Sequence, residues 1–279
     1  MGLSVEVERL ALRPERPLRR HAAFLSHYII VLVAAELLVA FADASGQGTL
    51  VVVGLLLDVY LVVSLPIEAS LLATKDPPLA AFLAALVLPP LLRVVSLSTP
   101  LTPFTTIQWL AIVSVPLLMA CFAVMRALDL RPRDVFIGFG DRRLIALNIA
   151  VAASGLGIGY LEYRLLHVAP WITARSSGDF AFAALAIFLA TGLAEELIFR
   201  GILLSTGIRL LGRRGALLYV TVVFAALHVG FLSVPYLVVA FAVGLVFGLV
   251  VLLTKTLWGT VLAHSLANVA LYLIFPFGL

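Results

Sequence analysis

Long apolar runs follow one another along most of this chain, and short polar segments separate them. Each run has about 20 residues, the length that an α-helix needs to cross about 30 Å of hydrocarbon. Pro89 and Pro90 fall within the third run and predict a kink or a re-entrant segment there, and the sixth helix can continue to Leu211. We therefore expect an all-α fold, a polytopic transmembrane helical bundle of eight or nine spans, at residues 22–42, 50–73, 79–98, 105–127, 143–166, 179–199, 216–232, 234–253 and 257–276.

Composition supports a bilayer as the surrounding medium. Hydrophobic residues make up 63% of the chain, charged residues make up 12%, and the mean hydropathy is +1.15. A soluble domain would be about half apolar and about a quarter charged. The net charge is +4, but most arginines lie between the apolar runs, as in the loops of membrane proteins. We therefore expect the lipid bilayer as a partner and no nucleic acid.

The basic residues also predict an orientation, because Lys and Arg accumulate in cytoplasmic loops. A basic arm at residues 1–21 precedes the first span, and alternate loops carry the remaining charge, at Lys75, Arg126 to Arg143, Arg209 to Arg214, and Lys255. The loops between them are nearly free of Lys and Arg, apart from Arg175 in the long segment after the fifth span. We expect a multi-pass protein of the cell membrane with a cytoplasmic N-terminus.

The sixth predicted span contains two adjacent acids, Glu195 and Glu196, followed by Arg200. An ionisable group inside a bilayer is costly and is by default a candidate for a functional site. Glu196 and Arg200 are four residues apart in the favourable order for a helical ion pair. This pairing would leave Glu195, about 100° further round the helix, facing elsewhere and able to act as a general base. The alternative is that both acids form structural ion pairs.

Three further polar residues occur in the seventh and ninth spans. His228 lies one turn after Phe224, and His264 lies one turn before Asn268. A lone histidine in an apolar helix is often a core residue, but His264 and Asn268 together could hold a water molecule or stabilise an oxyanion. Their alternative role is a hydrogen-bonded clamp between helices. In the eighth span, the small residues Gly244 and Gly248 predict a close approach of neighbouring helices.

Taken in order, these segments resemble the CPBP family of intramembrane proteases, which includes type II CAAX prenyl endopeptidases and bacteriocin-processing or immunity proteins. The family motifs EExxxR, FxxxH, FxxGxxxGxxxxxT and HxxxN are matched by Glu195, Glu196 and Arg200; Phe224 and His228; Phe241, Gly244, Gly248 and Thr254; and His264 and Asn268. The resemblance covers residues 143–279. It divides the chain into the basic arm 1–21, four N-terminal spans at 22–130, and a catalytic transmembrane domain at 143–279.

The resemblance implies a polar intramembrane cavity in the C-terminal half that opens to the cytoplasmic side, and hydrolysis of a peptide bond. Glu195 would be the general base for a water that His228 helps to hold, His264 and Asn268 would stabilise the oxyanion, and Glu196 with Arg200 would fix the helix. The family is usually classed with metalloproteases, so Glu195, His228 and His264 would be the ligands if zinc is used. No cofactor is favoured, because a glutamate can activate water without metal.

Other functions use the same residues differently. A membrane-associated protein or peptide is the expected substrate, either a prenylated CAAX C-terminus, a leader peptide or a membrane segment. A non-proteolytic scaffold or bacteriocin self-immunity protein of the same fold is an alternative. A proton-coupled transporter is a further alternative, although the two related halves that are common in transporters are not apparent.

The remaining polar residues of the spans are expected to have structural roles. Gly155 and Gly159 predict close helix packing rather than a nucleotide-binding loop, since no strand precedes them. Glu162 and Arg164 are placed near the outer end of the fifth span and are expected to be solvated or to snorkel. Structural ion pairs are the simplest role for the polar residues of the first three spans, namely Glu36, Asp58, Glu68 and Arg93.

Overall fold

The computed structural model describes residues 18–100, 102, 104–173 and 176–278. The described residues contain no strand, which confirms the all-α bundle. The basic arm predicted at residues 1–21 lies, up to residue 17, outside the described part of the chain, as does Arg175. The α-helices are α1 Leu18–Ser45, α2 Gly48–Leu72, α3 Pro77–Ala85, α4 Leu88–Ser98, α5 Thr106–Ala127, α6 Ile145–Leu166, α7 Ser177–Ile187, α8 Ala194–Glu196, α9 Leu204–Ala226, α10 Val234–Thr254 and α11 Trp258–Val269.

The described residues form eight helical stretches that are long and apolar enough to cross a membrane. The longest, Ser177–Phe231, has 55 residues and contains both the sixth and the seventh predicted spans. It folds back on itself at Gly212, where φ is 71°, a conformation that glycine adopts without strain. As a result, Gly207 packs against Ala216, and the two arms run antiparallel. The eight helical stretches therefore contain the nine segments that the sequence predicts as spans.

The third span has the predicted kink. It is divided into α3 and α4 at Leu86 and Val87, just before the two prolines, which stand in the first turn of α4 where a missing N–H is tolerated. The Asp76 side chain caps α3 by accepting a hydrogen bond from the backbone N–H of Leu79. The two pieces together cross the bundle over Pro77–Ser98, so the segment is bent rather than re-entrant.

The connecting segments gather at two opposite ends of the bundle. We call one the arginine-rich end, formed by residues 73–76, 128–144, 209–214 and 255–257. There the backbone N–H of Asp141 donates to the carbonyl of Thr254 at 2.8 Å. The other is the arginine-poor end, formed by the described residues 46–47, 99–100, 102, 104–105, 167–173, 176 and 228–233. There the backbone N–H of Trp171 donates to the carbonyl of Tyr272 at 3.2 Å.

Helices α6 and α11 have an unusually close contact. A Cβ atom at Gly155 would lie 2.9 Å from the carbonyl carbon of Ala263, and one at Gly159 would lie 2.7 Å from Cβ of Ala270. The two glycines therefore allow the backbones to touch, as predicted from their spacing. The contact fixes α11, which carries two of the candidate site residues, against a helix outside the four motifs.

Candidate active site

The two glutamates lie in a short piece of α-helix between two π-helical turns. The turn Phe188–Leu193 precedes α8, and the turn Leu197–Leu203 follows it. Such turns insert an extra residue into a helix and are frequent at functional sites. They change the direction in which successive side chains leave the helix. The hydrophobic pattern gave no sign of them, because π-helical turns have no simple sequence signature.

Glu196 is the centre of a buried polar network. Arg200 donates a hydrogen bond to Oε1 of Glu196 at 2.8 Å, and Nδ1 of His264 lies 3.0 Å from the same oxygen. Glu196 is fully buried and Arg200 is 1% exposed. The ion pair predicted from their spacing is present, and it joins the sixth span to the ninth through His264.

Aromatic residues cover this network. The guanidinium of Arg200 lies 4.2 Å from the centre of the Phe224 ring, within range for a cation–π contact. Gly244 leaves room for that ring, because a Cβ atom there would lie 3.2 Å from it. The phenylalanine and the glycine of the second and third motifs thus have a packing role, which agrees with the close helix approach predicted for Gly244.

Glu195 faces away from the network and towards an internal cavity. Its side chain is 20% exposed, and its Oε2 atom lies 3.9 Å from Nε2 of His264. The His264 ring therefore stands between the two glutamates, with Nδ1 towards Glu196 and Nε2 towards Glu195. An ionised Glu196 can only accept a hydrogen bond, so Nδ1 carries the hydrogen. Nε2 is then an acceptor in the neutral ring and a donor only when the ring is doubly protonated.

His228 has a defined tautomer. Its Nδ1 atom lies 2.8 Å from the carbonyl oxygen of Phe224, which can only accept, so Nδ1 carries the hydrogen. Nε2 is consequently an acceptor that can hold a hydrogen of a water molecule. The ring packs against those of Phe224, Phe231 and Tyr236, with centroid distances of 4.6, 6.3 and 5.8 Å. These contacts hold the imidazole in one orientation.

Four of the six candidate residues line one cavity of about 280 Å³, namely Glu195, His228, His264 and Asn268. Glu196 and Arg200 are buried behind its wall. The side chains therefore converge, as a common site requires, rather than pointing into separate helix interfaces. Much of the remaining wall is apolar, so a few polar groups face a largely apolar cavity, which is typical of small-molecule and peptide sites.

Comparison with protein families gives a match in the same region. Residues 177–270 match the family model described as type II CAAX prenyl endopeptidase Rce1-like. We call residues 177–270 the Rce1-like domain, after the family model that they match. This match confirms the resemblance drawn from the four motifs. The comparisons with curated proteins and with solved structures gave no match.

The cavity extends from mid-bundle to the arginine-poor end. Trp171 and Phe231, from connecting segments at that end, contribute to its wall, and none of the described lining residues comes from the arginine-rich end. The charge rule predicts a cytoplasmic arginine-rich end, and the family resemblance implies a cavity that opens to the cytoplasm. The sequence analysis treated these two predictions as consistent, which was wrong. Because the cavity reaches the opposite, arginine-poor end, only one of the two predictions can hold.

Two charged residues of the cavity come from outside the Rce1-like domain. Glu162 of α6 is only 8% exposed and lines the cavity, so the expectation that it is solvated was wrong. The stripe formed by Gly155 and Gly159 turns its face inward. Arg93 of α4 also lines the cavity; it forms an ion pair with Glu36 and donates to the Leu227 carbonyl at 2.6 Å. The position of Glu162 or Arg93 along its predicted span does not indicate whether the side chain reaches the site, so the sequence could not identify either residue.

The described residues do not form a metal site. Glu195, His228 and His264 share the cavity, yet the described part of the chain has no group of three or more His, Cys, Asp or Glu side chains arranged to hold a metal ion. The Nδ1 atoms of both histidines are engaged, with Glu196 and with the Phe224 carbonyl, so only Nε2 of each ring is open to the cavity. Because the described side chains form no cluster that could hold zinc, no step is assigned to a metal.

Proposed function

We propose that the protein is an intramembrane endopeptidase that hydrolyses a peptide bond in a membrane-associated protein or peptide. The observation that carries this proposal is the convergence of Glu195, His228, His264 and Asn268 on one cavity in the helical bundle. An acid, two imidazoles and an amide around a largely apolar space supply a base, a water ligand and hydrogen-bond donors. The match of residues 177–270 to an endopeptidase family supports the same reaction.

The first step is addition of water to the peptide carbonyl. Glu195 removes one proton from the water, and Nε2 of His228 accepts a hydrogen bond from the other hydrogen. The water oxygen bonds to the carbonyl carbon, and the carbonyl π electrons move to oxygen. General base catalysis of this kind contributes about 10²–10⁴-fold to a rate. Glu195 suits this role because Arg200 pairs with Glu196 instead, and the ion-pair contact of Glu195 is a long one of 3.9 Å to Nε2 of His264.

The second step is collapse of the tetrahedral intermediate. The Asn268 amide donates a hydrogen bond to the oxyanion, and His264 donates from Nε2 when its ring is doubly protonated. The proton held by Glu195 then passes to the leaving nitrogen as the C–N bond breaks. Glu196 and Arg200 act as positioning residues, since Glu196 holds the His264 ring at Nδ1. Removing a single oxyanion donor costs about 10²–10³-fold in other enzymes.

The shape of the cavity favours hydrolysis over transport. A transporter exposes its site to both sides of the membrane in turn. Here the cavity reaches the arginine-poor end, and the Glu196–Arg200 pair is buried behind its wall. A scaffold or immunity protein would need neither the cavity nor the separate orientation of Glu195. These arguments rank the protease first among the three classes.

Cleavage by purified protein in proteoliposomes tests the proposal. The probes are internally quenched peptides, namely a farnesylated peptide that ends in a CAAX sequence, its unprenylated form and a leader-type peptide. We expect Glu195→Gln to lower the rate of cleavage by about 10²–10⁴-fold. Glu68→Gln is the matched control, because Glu68 also lies in a span but does not line the cavity that contains Glu195. Equal cleavage by wild type and Glu195→Gln would remove Glu195 from the mechanism.

A further inference from the structure

Glu162 is a third carboxyl group in the cavity that contains Glu195. It lies on α6, outside residues 177–270, and its side chain is more than nine-tenths buried. Its place follows from the contact between α6 and α11. Gly155, Gly159 and Glu162 are spaced by four and three residues, so they share one helix face. The two glycines lie against α11, and the same face therefore directs Glu162 towards the wall that holds Asn268 and Tyr272.

The carboxyl group of Glu162 has no hydrogen-bond or ion-pair partner among the described residues, unlike the buried carboxyl groups of Glu36 and Glu196. Glu36 pairs with Arg93, and Glu196 pairs with Arg200 and His264. Fully enclosed oxygens without partners occur at Asp58 and Glu196, but those of Glu162 are not among them and remain open to the cavity. A buried polar group without a partner is costly. A ligand that brings a hydrogen-bond donor into the cavity would remove that cost.

We propose that Glu162 is a substrate-binding residue that accepts a hydrogen bond from an N–H group beside the bond to be cleaved. This inference rests on the proposed function. The carbonyl oxygen of a bound peptide is served by Asn268 and His264, which are donors. The N–H groups of the bound peptide need an acceptor once water is excluded. Glu162 is an acceptor in the same cavity, and its carboxyl group has no hydrogen-bond partner among the described residues. The N–H group belongs either to the peptide backbone or to a basic side chain.

Two substitutions separate these sources. Glu162→Gln keeps an amide oxygen that accepts hydrogen bonds but loses the charge, whereas Glu162→Leu loses both. The probes are fluorescently labelled farnesylated and leader-type peptides, each made with lysine or with norleucine at the residue after the cleaved bond. Binding is measured by anisotropy in proteoliposomes of the full chain. Each variant is made in the Glu195→Gln background so that no peptide is consumed.

We expect Glu162→Leu to weaken binding of the lysine peptide about tenfold, because a donor loses its acceptor in a dry site. If the donor is a backbone amide, the norleucine peptide weakens equally and Glu162→Gln binds both within about threefold of the parent. If the donor is a basic side chain, Glu162→Gln abolishes the preference for lysine over norleucine. Unchanged binding of both peptides by Glu162→Leu would overturn the proposal.

Two controls keep this test separate from the test of the proposed function. Glu68→Gln is expected to bind as the parent does, and the unfolding temperatures of all variants show whether the fold is intact. Binding that depends on Glu162, with no cleavage by the protein that retains Glu195, would support the binding site and defeat the endopeptidase. Cleavage that depends on Glu195, with binding insensitive to Glu162→Leu, would defeat the binding site alone.

Discussion

The substitution Gly155→Ala tests how far the position of His264 depends on α6, a helix outside the Rce1-like domain. A methyl group at Gly155 would lie 2.9 Å from the carbonyl carbon of Ala263 and 2.9 Å from Cβ of Leu266, and closer still to the Ala263 carbonyl oxygen. Ala263 directly precedes His264 in α11. These atoms of Ala263 and Leu266 are backbone or Cβ atoms, so no side-chain rotation can relieve the overlap. Gly155→Ala must therefore separate α6 from α11.

The size of the shift follows from the distances. Ordinary van der Waals contact for a Cβ atom begins at 3.4 Å, so atoms at 2.9 Å must move by half an ångström or more. Overpacking of this kind costs about 1–3 kcal/mol. Because 1 kcal/mol moves the unfolding temperature of a protein of this size by about 2–4 °C, we expect a loss of roughly 4–8 °C for a cost of about 2 kcal/mol. Misplacement by about 1 Å can cost 10²-fold in rate, so we expect cleavage to fall by about tenfold or more.

Gly157→Ala is the matched control on the same helix. Gly157 is exposed, and a Cβ atom there would meet nothing within 4 Å. It should leave cleavage unchanged and should raise stability slightly, by about 0.5–1 kcal/mol, because glycine weakens a helix interior. Unfolding temperature in detergent and cleavage rate are measured for both variants. Equal behaviour of Gly155→Ala and Gly157→Ala would show that α6 does not position α11 as closely as the structure indicates.

Three other predictions concern the network, the metal and the orientation. Arg200→Met should destabilise the protein by about 3–5 kcal/mol, since it leaves Glu196 buried without its cation; the unfolding temperature and the yield of folded protein measure this. Cleavage should be unchanged by a zinc chelator, and loss that zinc restores would contradict the metal-free mechanism. The orientation is tested by cysteine labelling in a background in which buried Cys121 is replaced by alanine. The charge rule predicts that a thiol reagent applied outside intact cells labels Ala169→Cys but not Arg133→Cys. The reverse pattern would refute the assigned orientation.

The helices and the main ion pair could be predicted because each depends on local sequence. Apolar runs give the spans, and the four-residue spacing of Glu196 and Arg200 gives the pair that the structure contains. The prolines of the third span gave its bend. The four motifs also identified Glu195, His228, His264 and Asn268, which line the cavity, and their catalytic roles are a proposal.

The environment of Glu162 could not be predicted, because it depends on contacts between distant segments. Its position near the end of a span predicted solvation, but packing of α6 on α11 encloses it. The π-helical turns around Glu195 and the ion pair between Glu36 and Arg93 likewise depend on tertiary packing. The glycines of α6 were the available clue, since residues on the same face share the same environment. Their spacing would have placed Glu162 towards α11.

The position of the cavity limits where a substrate can come from. The described residues of the segments at the arginine-poor end include no Lys or Arg, so the charge rule places this end outside the cytoplasm. The cavity reaches that same end. A substrate would then enter from the outer side or sideways from the bilayer, which favours a leader peptide or a membrane segment over a lipidated C-terminus in the cytoplasm. If labelling instead places Ala169 in the cytoplasm, the prenylated C-terminus becomes the first substrate to test, and the basic loops no longer determine the topology.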